Sequence, residues 1–474
     1  MLTPAPRRLC ARALLLLGLA SCGGSDDDST SGATALTSAS SSGGSATSDA
    51  TDPGTAATST SDATGDATTG SDSDAGSGSD SEAASDAETE TDATTGPQPS
   101  EDELLFRSAI AGELDPAEAL DVIADRGGLP VETLDGAFLF GCLCGPGGWQ
   151  VAGDHDGWRG TAMARTGDLS WAELAIPAAD GSRYKFHDGG DAWIADPRGR
   201  RHDYDQNGAY SLVRSSARHL ERWYGLAGFG LGPRDLEVLV PEDGAFTHAL
   251  YAHDGQNLFD PEAIWGGWQL EGSAPPELLI VGIENTPARI DEYTHVPDDI
   301  GDGPIGGDGD AYAALVDELV RPRMEDAYGE AAVVGVMGSS LGGLVAFHIA
   351  DRYPGRYDMA ISMSGTMGWG SIGPEPQPGA TMIERYAAAG KRSTALYLDS
   401  GGGGSCLDAD DDGVDDDGDA NDNYCENLQL RDVLVGLGYT YDVDLWHWHE
   451  PGAPHNEAAW AARVGAPLAI FAGL

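Results

Sequence analysis

The sequence predicts an α/β fold. A mostly parallel sheet covered by helices occupies residues 233–474, preceded by a small all-β sandwich and a long disordered acidic linker. Three observations carry this expectation. From Arg234 onward, short apolar runs rich in β-branched residues alternate with helical stretches, which means a parallel sheet covered on both faces. From Thr133 to Val213 the runs are shorter and bounded by turn residues, the spacing of a sandwich. Between Gly23 and about Ser100 the chain is Ser, Thr, Asp, Ala and Gly, with no Lys or Arg from Arg12 to Arg107. Such a segment cannot bury enough apolar surface to fold.

In chain order, residues 1–22 read as a lipoprotein signal peptide. Arg7, Arg8 and Arg12 surround a short apolar core, Ala13 to Ala20, which is too short to span a bilayer. Leu19-Ala20-Ser21-Cys22 resembles a bacterial lipobox, which implies cleavage before Cys22 and lipidation of its thiol. Gly23 after the cysteine resembles the outer-membrane sorting pattern. The expected location is therefore the bacterial cell envelope, by a lipid anchor at the outer membrane or cell surface. Residues 23–100 would then be a tether with a root-mean-square span of about 50 Å. The formal net charge of −52 argues against nucleic acid and against direct docking on anionic lipid.

Residues 101–232 hold a helical lead-in (Glu103 to Ile110, then Pro116 to Arg126) and the expected sandwich. Its cysteines, Cys142 and Cys144, are two apart on a predicted strand, so they should face the same way without bridging each other. Gly153-Asp-His-Asp-Gly-Trp158, Tyr184-Lys-Phe-x-Asp188 and Trp193-x-x-Asp-Pro197 resemble the immunoglobulin-like carbohydrate-binding module of glycogen-branching enzymes. They also resemble the N-terminal domain of enterochelin esterases. The resemblance implies glycan stacking on Trp158 or Trp171; the alternative is that both are sandwich core.

Within 233–474, the run Val333 to Met337, the turn Gly338-Ser339-Ser340-Leu341-Gly342 and the following amphipathic stretch read as strand, sharp turn and helix. That is the context in which G-x-S-x-G is a nucleophile elbow, with Ser340 as the nucleophile. A serine hydroxyl needs a base, and the base needs an orienting acid. His348 lies inside the helix after the elbow, and His447 and His449 end the last strand. His455 lies on a loop beyond that strand, directly before a helix, and is the expected base. The acid should follow the strand that ends at Leu398. Asp422, directly before a helix, is the expected acid, with Asp399 at the strand tip as the alternative. The oxyanion hole needs two backbone N–H groups: Leu341 after the nucleophile, and Gly255 or Gln256 in the turn after Tyr251-Ala-His253. His253 and Asp254 read as loop-shaping.

Four motifs in order resemble the esterase D / enterochelin esterase family of α/β-hydrolases. They are His253-Asp-Gly-Gln-Asn-Leu-Phe259, Val281-Gly-Ile-x-Asn-Thr-Pro-x-Arg-x-x-Glu-Tyr293, Gly338-x-Ser-x-Gly-Gly343 and His455-Asn-Glu-x-x-Trp460. The resemblance implies a serine carboxylester hydrolase acting on acylated glycans or siderophore-type esters, with Ser340 as nucleophile and His455 as base. The alternatives are a glycan-binding surface lipoprotein with a vestigial hydrolase domain, or an acyltransferase of the same family. A Gly/Asp-rich insertion at 400–425 departs from the pattern. Cys406 and Cys425 bracket it and form the expected disulfide. Asp408, Asp410 and Asp412 carry the carboxylate spacing of a calcium loop, with Asp416 and Asp419 at further ligand-compatible positions. The alternative is a solvated acidic loop. Calcium there would be structural, since the chemistry needs no cofactor.

Overall fold

The computed structural model describes residues 97–301, 303–415 and 422–474. The expectations for the signal peptide, Cys22, the linker, Asp416 and Asp419 fall outside the described residues. Among the described residues no helix is long and apolar enough to cross a membrane.

The lead-in is two helices, Glu101–Ala111 and Pro116–Arg126. Each starts on a side-chain cap: Ser100 Oγ accepts from Glu103 N, and Asp115 Oδ1 accepts from Ala117 N, with Pro116 in the first turn. Their apolar faces, including Phe106, Leu120 and Ile123, pack on Leu129, Leu139 and Leu169.

Two antiparallel layers follow. One is a four-stranded sheet of Val131–Glu132, Phe138–Cys142, Leu169–Leu174 and Ala164–Thr166. The other contains Gln150–Gly153, Arg183–His187, Gly208–Leu212 and Arg201–Asp205. Phe138, Phe140, Val151, Tyr184, Phe186 and Val213 fill the space between them. The second layer is not closed off: His219–Leu226 pairs with Arg201–Asp205 on one side and with Arg234–Val240 on the other. The sandwich therefore shares one continuous hydrogen-bonded sheet with the α/β part.

Cys142 and Cys144 form a disulfide, which corrects the expectation that they would not bridge. Side chains two apart face the same way only where the strand continues through both. This strand ends at Cys142, so the chain is free to turn, and the two Cα atoms approach to 5.3 Å.

In the α/β part the strand order is Leu445–His449, Ala395–Ser400, Met359–Met363, Val333–Ser339, His248–His253 and Leu278–Ile283, all parallel. Arg234–Val240 then joins antiparallel. These strands are apolar on both sides because helices cover both. Tyr251, Val336 and Leu398 join the core on one face, while Leu250, Met337 and Ile361 join the other. The helix predicted from Glu457 to Phe471 is broken into Glu457–Arg463 and Gly465–Phe471. Pro467 has no N–H to offer the carbonyl of Arg463, which ends the first piece there.

Candidate active site

Ser340 stands between the strand Val333–Ser339 and the helix Leu341–Arg352, with φ 57° and ψ −125°. A positive φ is strained for a residue with a Cβ, and the surroundings hold it. Ser340 N donates to Met363 O at 2.9 Å, and Ser340 O accepts from Gly343 N at 3.0 Å and Thr366 N at 3.3 Å. The close passage of strand and helix needs glycine: a Cβ on Gly338 would lie 2.5 Å from the carbonyl of Gly342.

His455 Nδ1 pairs with Asp422 Oδ1 at 2.7 Å, which leaves the other ring nitrogen, Nε2, outside that pair. Asp422 sits on the loop before the helix Tyr424–Gly436, with φ 68°, and the next residue, Asn423, also has positive φ, 56°. Asn423 Nδ2 donates to Ser364 O and to Thr366 Oγ1, at 2.8 and 3.1 Å. Thr366 N in turn donates to Ser340 O, so the Asp422 loop and the Ser340 turn share one frame. The second oxygen of Asp422 accepts from Ser364 Oγ at 2.7 Å, from Gly401 N, and from an Arg463 guanidinium nitrogen at 3.3 Å. Asp399, the alternative acid, is fully buried at the strand tip and pairs with Arg463 at 3.1 Å rather than with His455.

Ser364 and Arg463 carry no local sequence signal, and the sequence reading missed both. Ser364 follows a strand, and Arg463 is one basic residue at the end of a short helix. Only the three-dimensional convergence of segments about one hundred residues apart makes them neighbours, with Arg463 Nη2 2.6 Å from Ser364 Oγ.

The other residues singled out from sequence occupy supporting positions. Gly255 lies where a Cβ would be 2.6 Å from the backbone of Gly282, so the turn carrying Gly255 and Gln256 hugs the neighbouring strand. Gln256 Oε1 accepts from Asn285 N at 3.1 Å, and the residues just before the turn, His253 and Asp254, lie against Gly342 of the helix that begins at Leu341. The Asp254 carboxylate takes a two-pronged contact from Arg289, at 2.7 and 2.8 Å, and a bond from Asn285 at 2.6 Å. Burial pushes its pKa up, but the Arg289 charge and these hydrogen bonds outweigh that and hold it below the usual range. His253 is buried against Tyr312, and burial pushes its pKa down to about 3, so it stays neutral. His348 is also buried, bonded to Asp310 at 3.0 Å and depressed to about 3 chiefly by burial. His447 is depressed to about 4, again chiefly by burial, and the His449 ring packs on Tyr424.

Cys406 and Cys425 form a disulfide that closes the insertion, landing three residues after Asp422. Asp408, Asp410 and Asp412 each offer a carboxylate oxygen, and these lie within 4.8 Å of one another. The Asp408 carboxylate also accepts from the N–H groups of Asp412 and Gly413. In the four-stranded sheet of the sandwich, Trp171 packs with the helical lead-in. Trp158 is half-buried 6.3 Å from Trp193, which is 42% exposed.

Among solved structures, the chain is similar to the ferric enterobactin esterase of Salmonella typhimurium, with 16% identity and TM-score 0.38 over 73% of this chain and 96% of that one. It is similar to an IroE-like serine hydrolase from Shewanella oneidensis, with 18% identity and TM-score 0.40 over 53% and 79%. It is also similar to the siderophore hydrolase EstB from Aspergillus nidulans, with 20% identity and TM-score 0.38 over 53% and 94%. Likeness at this level carries no argument about activity. Among curated proteins, it is 31% identical over 133 residues to the uncharacterized protein YbbA of Bacillus subtilis (strain 168), covering 26% of this chain. The chain spans about half the length of that relative (52%). The model of the Esterase family matches residues 232–468, half of the chain and all of the elements that carry Ser340, Asp422 and His455. The chain belongs to the Esterase family.

Proposed function

We propose that the protein is a serine carboxylic ester hydrolase that works through an acyl-enzyme. The observation that carries the proposal is the 2.7 Å pair between His455 Nδ1 and Asp422 Oδ1, on a loop tied by Asn423 and Thr366 to the strained turn of Ser340. Ser340 Oγ attacks the ester carbonyl carbon, and its proton passes to His455 Nε2. Asp422 holds the ring in the tautomer that accepts there and stabilises the imidazolium. The N–H groups of Leu341 and Gln256 take up the oxyanion. The C–O bond to the leaving alcohol breaks as His455 returns the proton to it. Water, deprotonated by the same nitrogen, then attacks the acyl-Ser340 ester and releases the acid.

The substrates proposed are acylated glycans or siderophore-type esters. The glycan reading is supported by the exposed Trp193, beside Trp158 and paired to the strand Arg183–His187, and the siderophore reading by the resemblance of the four motifs to enterochelin esterases. Envelope anchoring through Cys22 belongs to the same proposal, and rests on the basic residues, short apolar core and Leu-Ala-Ser-Cys ending of residues 1–22. Metabolic labelling with palmitate that is lost in Cys22→Ser supports it. Structural calcium at Asp408, Asp410 and Asp412 is a separate proposal. A calcium-dependent rise in Tm that Asp410→Asn abolishes supports it, and an unchanged Tm removes it.

Turnover of p-nitrophenyl acetate and butyrate by the full chain, beside Ser340→Ala, tests the esterase reading. Hydrolysis that disappears in the variant is the expected result. Wild type and variant equally inert on these, on feruloyl esters and on siderophore esters would overturn it.

A further inference from the structure

We propose that Arg463 and Asp399 are positioning residues for the catalytic acid: Arg463 holds the far oxygen of Asp422, and Asp399 holds Arg463 in place. The inference rests on the esterase reading for its kinetic consequence, though not for its geometry.

All the groups concerned are out of water. The side chains of Asp399 and Asp422 are 0% exposed and that of Arg463 is 5% exposed. One guanidinium nitrogen, Nη2, hydrogen-bonds Ser364 Oγ at 2.6 Å and Asp422 Oδ2 at 3.3 Å, and lies in ion-pair contact with Asp399 Oδ1 at 3.1 Å. The Ser364 hydroxyl accepts from Arg463 and from Trp460 Nε1 at 3.0 Å, and spends its own proton on Asp422. Its hydrogen-bonding capacity is therefore full. Ser364 holds a positive φ of 50° to do this, a strained conformation for serine. With Oδ2 so occupied, Asp422 can turn only Oδ1 to His455.

The charges do not balance. Two carboxylates face one guanidinium, and a buried charge without a partner is strongly disfavoured. The groups around Asp399 are few. Arg463 comes from the end of the helix Glu457–Arg463, Asp422 from the loop before the helix Tyr424–Gly436, and Tyr397 from its own strand, donating its hydroxyl at 3.3 Å. The facing positions on the two neighbouring strands are Met363 and Trp448, neither of which titrates. Burial pushes Asp399 up to about 7, with the Asp422 charge adding and Arg463 opposing. Near neutral pH the charge behind the catalytic acid is therefore variable. With Asp399 protonated, Arg463 is committed to Asp422. With Asp399 ionised, Arg463 is shared, the site is more negative, and an imidazolium at His455 is better stabilised.

The test compares wild type, Asp399→Asn, Arg463→Lys and Arg463→Met in the full chain. Two readouts are taken: kcat/KM for p-nitrophenyl butyrate from pH 5 to 9, and the NMR titration of the His455 ring. Asp399→Asn removes a negative charge, so the acid limb and the ring titration move to lower pH by about half to one unit. Arg463→Met removes the positive charge, so both move to higher pH, and kcat falls about tenfold as Oδ2 loses one of its three donors and Ser364 loses the group that orients it. Arg463→Lys restores the position of the limb more than it restores kcat, because the shorter side chain keeps the charge but ends about one bond short of the Nη2 position. A purely structural role would lower Tm and leave both titrations where they are in wild type, and that result overturns the proposal. If Arg463→Met does not fold, Asp399→Asn decides alone: an unmoved His455 titration sinks the idea. If wild type turns over no ester, the esterase reading fails, while the NMR titration still decides the positioning claim.

Discussion

Gly338→Ala is the perturbation in which packing and catalysis are most tightly coupled. The added Cβ would lie 2.5 Å from both the carbon and the oxygen of the Gly342 carbonyl, and 2.8 Å from its Cα. All three are backbone atoms of the helix that starts at the nucleophile, so no side chain can swing aside. Ordinary contact begins near 3.4 Å, so strand and helix must separate by about 0.9 Å (3.4 less 2.5). Overpacking of this kind costs about 1–3 kcal/mol of stability. A displacement of about 1 Å in a reacting group costs about a hundredfold in rate, or roughly 2.7 kcal/mol of barrier. The assay is kcat for p-nitrophenyl butyrate alongside urea unfolding. The matched control is Gly342→Ala, whose Cβ would meet only side chains, Asp254 Oδ2 at 3.2 Å and His253 Cβ at 3.4 Å. That variant stays within about tenfold, since alanine also gains about 1 kcal/mol of helix propensity. Gly338→Ala with wild-type kcat and stability would refute the claim that this crossing sets the position of Ser340.

Other consequences follow from the same geometry. Asp422→Asn leaves His455 facing an amide and in the wrong tautomer, and kcat should fall by about 10⁴, whereas Asp399→Asn stays within about tenfold. Equal losses in the two variants would contradict the assignment of the acid. Replacing both Cys406 and Cys425 with serine opens a loop with a sequence separation of 19 and should lower stability by about 3 kcal/mol. The same change at Cys142 and Cys144, two apart, should cost much less, and urea titrations separate the two cases. Glu221 and Glu237 resist burial through His219 and Arg201 around the first and His202 and Arg222 around the second, and both are held down to about 2. Their folded values lie below the unfolded 4.5, so the stability they contribute is complete above pH 4.5 and is lost as pH falls toward 2. Between pH 6.5 and 4.5, buried His253 and His348 act in the same direction, while Asp399 and Asp196, raised to about 7 and 6 chiefly by burial, oppose them. Thermal unfolding should therefore show a nearly level Tm down to about pH 5 and a steep fall below 4.5; a Tm unchanged at pH 3 would contradict this.

What the sequence makes legible is what is encoded locally. The elbow is legible because strand, glycine-flanked turn and helix are contiguous, and His455 because a loop histidine before a helix follows the last strand. Asp422 is harder, since the insertion supplies many carboxylates, and what distinguishes Asp422 among the described ones is its 2.7 Å contact with His455, a long-range contact. The roles of Ser364 and Arg463 depend wholly on long-range contact and leave no trace in local pattern. The continuous sheet is hidden for the same reason: pairing of Leu220 with His202 and of Val238 with Val281 is non-local. The Cys142–Cys144 bridge is hidden because the strand stops at Cys142, two residues short of Cys144, and alternation holds only within a strand.

The central claim is that Ser340 is a nucleophile activated by His455 and Asp422. Reaction of the full chain with a fluorophosphonate, followed by peptide mass spectrometry, tests it without a choice of substrate. The account predicts one covalent adduct on Ser340, strongly slowed in His455→Ala and Asp422→Asn and absent in Ser340→Ala. An unmodified Ser340 in folded wild-type protein, or an adduct formed equally fast without His455, would contradict it.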